Sequence, residues 1–377
     1  MLQAVAGLTV VDYKVMPQPS VIAHINTQAL LDNFHFLKHT HPHHKTTIAM
    51  IKANAYGHGL IPIGKLLEQE ANYLGVASIA EGIELRAAGI QTKILIFSGF
   101  FDQSHVEPLI THNLIPIIHS DYQIDLLSSY LIAENMKKEI WLKINTGMNR
   151  LGFSSNDFET TYDHLKQQYP EASFNVLTHL AEAESTDKDF TKSQIEKFKK
   201  CLINKDFDHI STSNSASTLN HNFGMENTIR LGISMYGIST INKPHYPATL
   251  QPVMTLKTQI IALHELNKGD SIGYNREFIA DKKMTLAIIP IGYGDGYPQH
   301  SPSGTSVLVK NIICPIVGKV SMDMIGTDVS KISQINILDS VIMWGFGLPV
   351  ENVAKEINIS PYALIAGLTQ RIKRQYG

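Results

Sequence analysis

From about residue 21 to residue 238 the chain repeats one pattern: a short apolar run, then a stretch whose apolar residues recur at helical spacing. The strand-like runs fall at 21–25, 46–51, 73–78, 94–98, 114–119, 140–144, 174–179 and 209–213. Amphipathic stretches such as "TQALLDNFHFLKHT", "AEGIELRAAG" and "SQIEKFKKCLI" lie between most of them. When a helix separates two strands, the crossover brings the chain back to start the second strand parallel to the first. Eight such units predict a (β/α)8 barrel of the TIM type. A doubly wound open sheet is the alternative use of the same units.

After Gln251 the pattern changes. Short strand-like runs such as "MTLKTQIIALHEL", "KKMTLAIIPIGYG" and "TSVLVKNIICPIVGKV" are separated by Gly/Asp/Asn turns, and no long amphipathic helix interrupts them until Glu351. That predicts a second, mostly antiparallel β domain. The boundary falls in "NKPHYPATLQP", rich in proline and without periodicity. The expected division is a barrel over 20–245 and a β domain over 246–377, with residues 1–19 packing on the latter. A length of 377 residues also favours two cores over one.

A formal net charge of -2 and dispersed Lys and Arg give no nucleic-acid-binding surface. No apolar run approaches membrane-spanning length, and "MLQAVAGLTVVDYKV" lacks the basic start and cleavage pattern of a signal peptide. Cys201 and Cys314 match no metal or redox spacing, so a reduced, cytoplasmic protein is expected. The run "HTHPHH" at 39–44 has no Cys or acidic partner nearby and reads as a solvated loop rather than a metal site.

One strand ends oddly. "TTIAMIKANAYGHG" carries a lysine, Lys52, at the close of an apolar run and leaves it through two glycines. Desolvation there lowers an ammonium's pKa, the condition a Schiff-base lysine needs. Alternatively the side chain snorkels to water, and by itself the segment favours this second reading. Other polar residues fall at strand ends too: Lys143 in the sixth run, Arg150 after "NTGMN", His179 ending the seventh, Asn214 and Ser215 after the eighth. In a barrel those ends form one rim, so the set converges. "STSNSAS" and "TIRLGISMYGI" add hydroxyls, backbone N–H groups and Gly232 after the last strand, where barrels hold phosphate. A lysine able to form an imine, facing a phosphate site, points to pyridoxal 5'-phosphate. Two glycine-rich stretches do not carry nucleotide chemistry. "GLIPIGKL" lacks the Ser/Thr of a P-loop and reads as a helix start, and "GYGDGY" lies in the β region with no helix after it.

These residues resemble one family, the alanine racemases among the fold-type III pyridoxal phosphate enzymes. The resemblance runs from Ser20 to the C-terminus through "IKANAYGHG", "KINTGMNRLGF", "THLAEAE", "SNSAS", "IRLGISMYGI", "SIGY", "IPIGYGDGYP" and "VGKVSMDM". Each motif alone is modest; their order and spacing are specific. The resemblance implies that Lys52 bonds the cofactor and serves as one catalytic base. It implies that Tyr56, Ser215, the backbone of Gly232 and Ile233, and Tyr362 hold the phosphate, with Asn214 beside them. Arg230 is similar to the arginine facing the pyridine nitrogen. An arginine does not lend a proton, so the ring becomes a weaker electron sink and transamination is restrained. Arg150 and the backbone of Met322 would hold the substrate carboxylate, Tyr274 would be the second base oriented by His179, and Tyr293 would narrow the entrance. Lys143 would carry a carbamate that orients Arg150.

In this family the second base comes from the partner subunit, so a homodimer with shared sites is implied, with alanine as substrate and D-alanine for peptidoglycan as product. Three positions depart from the family pattern: Asn145 for aspartate, and Leu231 and Lys373 for prolines. A broad-spectrum amino-acid racemase and a non-catalytic pyridoxal phosphate-binding protein are the competing functions. The β region bearing Tyr274 argues against the second.

Overall fold

The computed structural model of the chain describes residues 21–40, 45–131, 139–220, 226–241 and 250–377, with the backbone alone at 127–131. Most of the boundary stretch "NKPHYPATLQP", residues 1–19 and the histidines at 41, 43 and 44 lie outside them.

Eight parallel strands form a nearly closed barrel. In chain order they are β2 (Thr46–Met50), β3 (Tyr73–Val76), β4 (Lys93–Ile96), β5 (Leu114–Ile118), β6 (Glu139–Lys143), β7 (Ser173–Leu177), β8 (His209–Ser211) and β9 (Thr228–Leu231). Their spatial order is β8-β7-β6-β5-β4-β3-β2-β9. At the seam, Asn227 N–H donates to Ile210 O at 3.2 Å. Every residue of β2, β5 and β6 is buried, as expected of strands with helices outside and a packed barrel inside. The stretch "GLIPIGKL" is indeed a helix, Leu60–Leu67.

The barrel's membership corrects the sequence expectation. The first predicted strand, β1 (Ile22–Ile25), is not in the barrel. It pairs antiparallel with β10 (Met254–Gln259) and parallel with the last strand, Lys373–Tyr376. The eighth barrel strand is instead β9, the "TIRL" run, which pairs with β2 in the register Ala49↔Leu231. Leu231, where the family pattern has proline, is thus the fully buried last residue of a barrel strand.

The second sheet has nine strands, and all its pairings except that of β1 with Lys373–Tyr376 are antiparallel. β10 alternates buried and half-buried residues, the signature of a sheet with one covered face. The helix Thr27–His39, capped by the Asn26 side chain on Ala29 N–H, leads from β1 back to the barrel. Its buried Asn33 accepts from Gln251 N–H at 2.9 Å and donates to Gln251 O at 2.8 Å, fixing the chain where it leaves the barrel.

Candidate active site

At the C-terminal rim of the barrel lies a cavity of about 420 Å³. Lys52, Tyr56, Lys143, Arg150 and His179 line it, as do Asn214, Ser215, Arg230, Gly232 and Tyr362. Ile233 follows Gly232 and is fully buried. Ten predicted residues, drawn from five barrel-strand ends and a C-terminal helix, therefore meet in one place.

Lys52 follows β2 directly and starts a turn of unusual hand. Ala53, Asn54, Ala55 and Tyr56 have φ of 53°, 54°, 51° and 52°. Left-handed backbone costs a non-glycine residue on the order of 1–2 kcal/mol, so four in a row need external restraint. Glu81 supplies part of it: one carboxylate oxygen accepts from Ala53 N–H at 2.6 Å, and the other from Ala77 N–H at 2.8 Å. Glu81 also closes a capping box with Ser78 at the start of the helix Ile79–Ala87. Gly57 ends the turn at φ 82°; a Cβ there would lie 1.9 Å from Ile365 O, so only glycine fits.

One end of the cavity suits an anion. Ser215 Oγ accepts from the N–H of Gly232 at 2.9 Å, and a Cβ on Gly232 would sit 3.2 Å from that oxygen and 3.3 Å from the Tyr56 hydroxyl. The absent side chain leaves backbone and two hydroxyls facing a common space. Tyr56 packs between Tyr236 and Tyr362, with ring centroids 5.0 and 5.8 Å away. Burial pushes the phenols of Tyr56 and Tyr362 well up, so both stay protonated and can donate.

The other end is cationic. Arg230 is 3 % exposed, donating to Ser211 Oγ at 2.7 Å and Thr178 O at 2.8 Å. Burial draws it down only to about 10, so it remains charged. Lys143 is buried, and desolvation, then Arg150, Arg230 and Lys52, bring it down to about 8. Lys52 is lowered by desolvation, by Arg150 and by Arg230, against an opposing pull from Glu81. His179 is driven to about 2 by desolvation and the same cations, so its ring is neutral. The Arg150 loop folds back on β6: Phe153 N–H donates to Lys143 O at 2.9 Å, and Asn145 Oδ1 caps Gly147 and Asn149 N–H. An aspartate would offer the same acceptor, so Asn145 preserves this turn.

Three predicted residues are not in this cavity. Tyr274 sits in the turn of a separate two-stranded ribbon, Ser271–Ile272 with Phe278–Ile279, and Met322 and Tyr293 on loops of the nine-stranded sheet; they are 71, 52 and 38 % exposed. The last two are neighbours, since Gly294 N–H donates to Met322 O at 2.8 Å. Sequence reasoning also missed Glu81 and His58, both bonded to the Lys52 turn; the Ser78-x-x-Glu81 capping box was the readable signal for the first.

The family model for the alanine racemase N-terminal domain matches residues 25–240, and that for the C-terminal domain matches 253–376. The chain belongs to the alanine racemase family. Alanine racemase from Coxiella burnetii (strain CbuG_Q212) is 39 % identical over 358 residues, covering 93 % of this chain and 97 % of that protein. The Shewanella loihica alanine racemase is 36 % identical, covering 94 % and 98 %. Among solved structures, the biosynthetic alanine racemase of Pseudomonas aeruginosa superposes with a TM-score of 0.89 at 31 % identity, over 96 % of this chain and all of the other. That of Bartonella henselae, with covalently bound pyridoxal phosphate, gives 0.86 at 27 % identity over 96 % and 100 %. Alanine racemases are isomerases, and the enzyme class of this chain follows.

Proposed function

We propose that the chain interconverts L- and D-alanine, using pyridoxal 5'-phosphate held by Lys52 and two bases on opposite faces of the substrate, and so supplies D-alanine for peptidoglycan. The observation that carries the reading is the convergence of Lys52, a hydroxyl and N–H cradle and Arg230 on one cavity. The donor set fits this cofactor. Tyr56, Ser215, Tyr362, Asn214 and the backbone of Gly232 and Ile233 suit its phosphate, and the buried Arg230 suits a ring nitrogen that accepts a hydrogen bond. When bound, the cofactor draws electron density from the substrate's α-carbon and stabilises the charge left by the departing proton.

The protein's own groups do the rest. Desolvation and neighbouring cations lower Lys52, which enlarges its neutral fraction and equips its Nζ to take or return a proton on one face. Arg150, at the open side, holds the substrate carboxylate as a charge-assisted pair. The neutral His179 would orient the hydroxyl of Tyr274, the second base, without competing as an acid. Tyr274 does not line this chain's own cavity and lies exposed on its β region. Tyr274 of one subunit entering the other's cavity in a homodimer, with Met322 and Tyr293, completes the site. Lys143 carries a carbamate: its neutral amine attacks carbon dioxide and releases a proton, turning a buried cation into an anion that pairs with Arg150. The barrel thus holds the cofactor, and the β domain that follows it in the chain supplies the second base.

The test is direct. Purified chain incubated with pyridoxal phosphate should convert L-alanine to a racemic mixture on a chiral column, and borohydride reduction with peptide mapping should label Lys52. A label on Lys143 would overturn the assignment, and faster turnover of another amino acid would favour the broad-spectrum reading.

A further inference from the structure

His58 is fully buried two residues beyond the left-handed turn. Its Nδ1 lies 3.0 Å from Tyr56 O and 3.2 Å from Ala55 O. Carbonyls only accept, so Nδ1 carries the hydrogen and Nε2 is left as an acceptor. Among the described residues no group meets that Nε2, and the buried Nε1–H of Trp344 is a donor in the same condition. Both residues line one small cavity between the barrel and the nine-stranded sheet, with Gly345, Glu351 and Ile365. Its volume, about 10 Å³ for the centre of a water-sized sphere, is at the lower limit for one water. A water there would donate to His58 Nε2 and accept from Trp344 Nε1–H, and the two orphaned groups are complementary in that sense.

The same stretch is gripped from the last strand. Arg374 Nε donates to Gly57 O at 2.5 Å, and the Tyr376 hydroxyl to His58 O at 3.0 Å. The ring of His58 packs against Tyr236, with centroids 4.5 Å apart and planes tilted by 37°, and Tyr236 in turn packs on Tyr56.

We propose that His58 is a positioning residue of the active site: locked as its Nδ1–H tautomer by one buried water shared with Trp344, it holds the Ala55 and Tyr56 carbonyls and thereby sets the turn that presents Lys52 and Tyr56. The inference rests on the cofactor role proposed above. Burial keeps the ring neutral by pushing it down to about 4, so the tautomer persists across the ordinary pH range. The nine-stranded sheet, through Trp344, then braces a turn that the barrel alone leaves strained.

Three variants of the full chain separate this from a packing role. His58→Asn keeps an N–H at the Nδ1 position, His58→Gln keeps a polar group only at the Nε2 position, and His58→Phe keeps neither. Affinity for pyridoxal phosphate, by absorbance titration, should fall about ten-fold in the Gln and Phe variants and stay near wild type in the Asn variant. The unfolding midpoints of the cofactor-free Asn and Gln proteins should fall alike. Equal loss of affinity in Asn and Gln, or wild-type affinity in Phe, overturns the proposal. On the cofactor-free wild type, nitrogen NMR of labelled histidine should give an Nδ1-protonated ring, and a high-resolution crystal structure a water bonded to both rings. An Nε2–H tautomer or a dry cavity refutes the clamp. Failure of the wild type to bind pyridoxal phosphate would instead refute the function proposed above, and these two measurements would still judge the clamp.

Discussion

Replacing Lys143 by methionine should make the cofactor-free protein more stable while impairing it as an enzyme. Lys143 is 6 % exposed, and desolvation first, then Arg150, Arg230 and Lys52, bring it from 10.5 to about 8. At about 1.4 kcal/mol per pH unit, that drop corresponds to about 3 kcal/mol of cost for keeping the folded-state ammonium charged. Relaxation and water entry reduce it, so about 1–3 kcal/mol of stabilisation is expected from a near-isosteric apolar side chain at pH 7. The sign follows from linkage. Between pH 8 and 10.5 the unfolded chain holds the lysine proton and the folded chain has released it, so this residue's penalty is full below pH 8 and fades as pH rises towards 10.5. Urea unfolding of wild type and Lys143→Met in carbon-dioxide-free buffer should therefore differ most at pH 7 and converge near pH 10.5. Bicarbonate should stabilise the wild type alone, through the carbamate. A variant less stable than wild type at pH 7 in carbon-dioxide-free buffer, or a difference that widens with pH, would refute the reasoning.

Further tests probe the two ends of the cavity and the two faces of the substrate. Gly232→Ala puts a methyl 3.2 Å from Ser215 Oγ and 3.3 Å from the Tyr56 hydroxyl, so pyridoxal phosphate affinity by titration should fall by about ten-fold or more, with little change in the unfolding midpoint of the cofactor-free protein. Tyr274→Phe must slow both directions of racemisation equally, because mirror-image substrates have an equilibrium constant of one. Proton exchange separates the faces: in heavy water, D-alanine should still exchange its α-hydrogen through Lys52 with retained configuration, while L-alanine exchange falls. Equal loss from both enantiomers would count against one base per face.

The barrel was legible in the sequence because its alternation is local: each βα unit writes its own period. Which strands pair is not local. β1 followed by the helix Thr27–His39 looks like any other βα unit, yet its hydrogen bonds go to β10 and to the end of the chain. The true eighth strand, four residues long and followed only by a 3₁₀ turn, lacks the helix that would have marked it, although it carries Arg230. The convergence of Lys52, Lys143, Arg150, His179, Asn214 and Ser215 on one cavity was legible because strand ends project onto one rim, whereas Tyr56, Arg230 and Tyr362 were singled out by the resemblance alone. The left-handed turn at 53–56 was not, since alanine, asparagine and tyrosine do not advertise positive φ. Its restraints, Glu81, His58 and Arg374, come from distant parts of the fold. The exposure of Tyr274 was not legible in the sequence either.

The shared site is tested most directly by subunit complementation. Lys52→Ala and Tyr274→Phe chains, carrying different tags, are co-expressed and the mixed dimer isolated. One of its two sites then has both residues altered, and the other has both intact. The account predicts that each homodimer is nearly inactive and that the mixed dimer recovers about half of wild-type racemisation per dimer. A mixed dimer no more active than its parents would contradict the placing of Tyr274 in the partner's site.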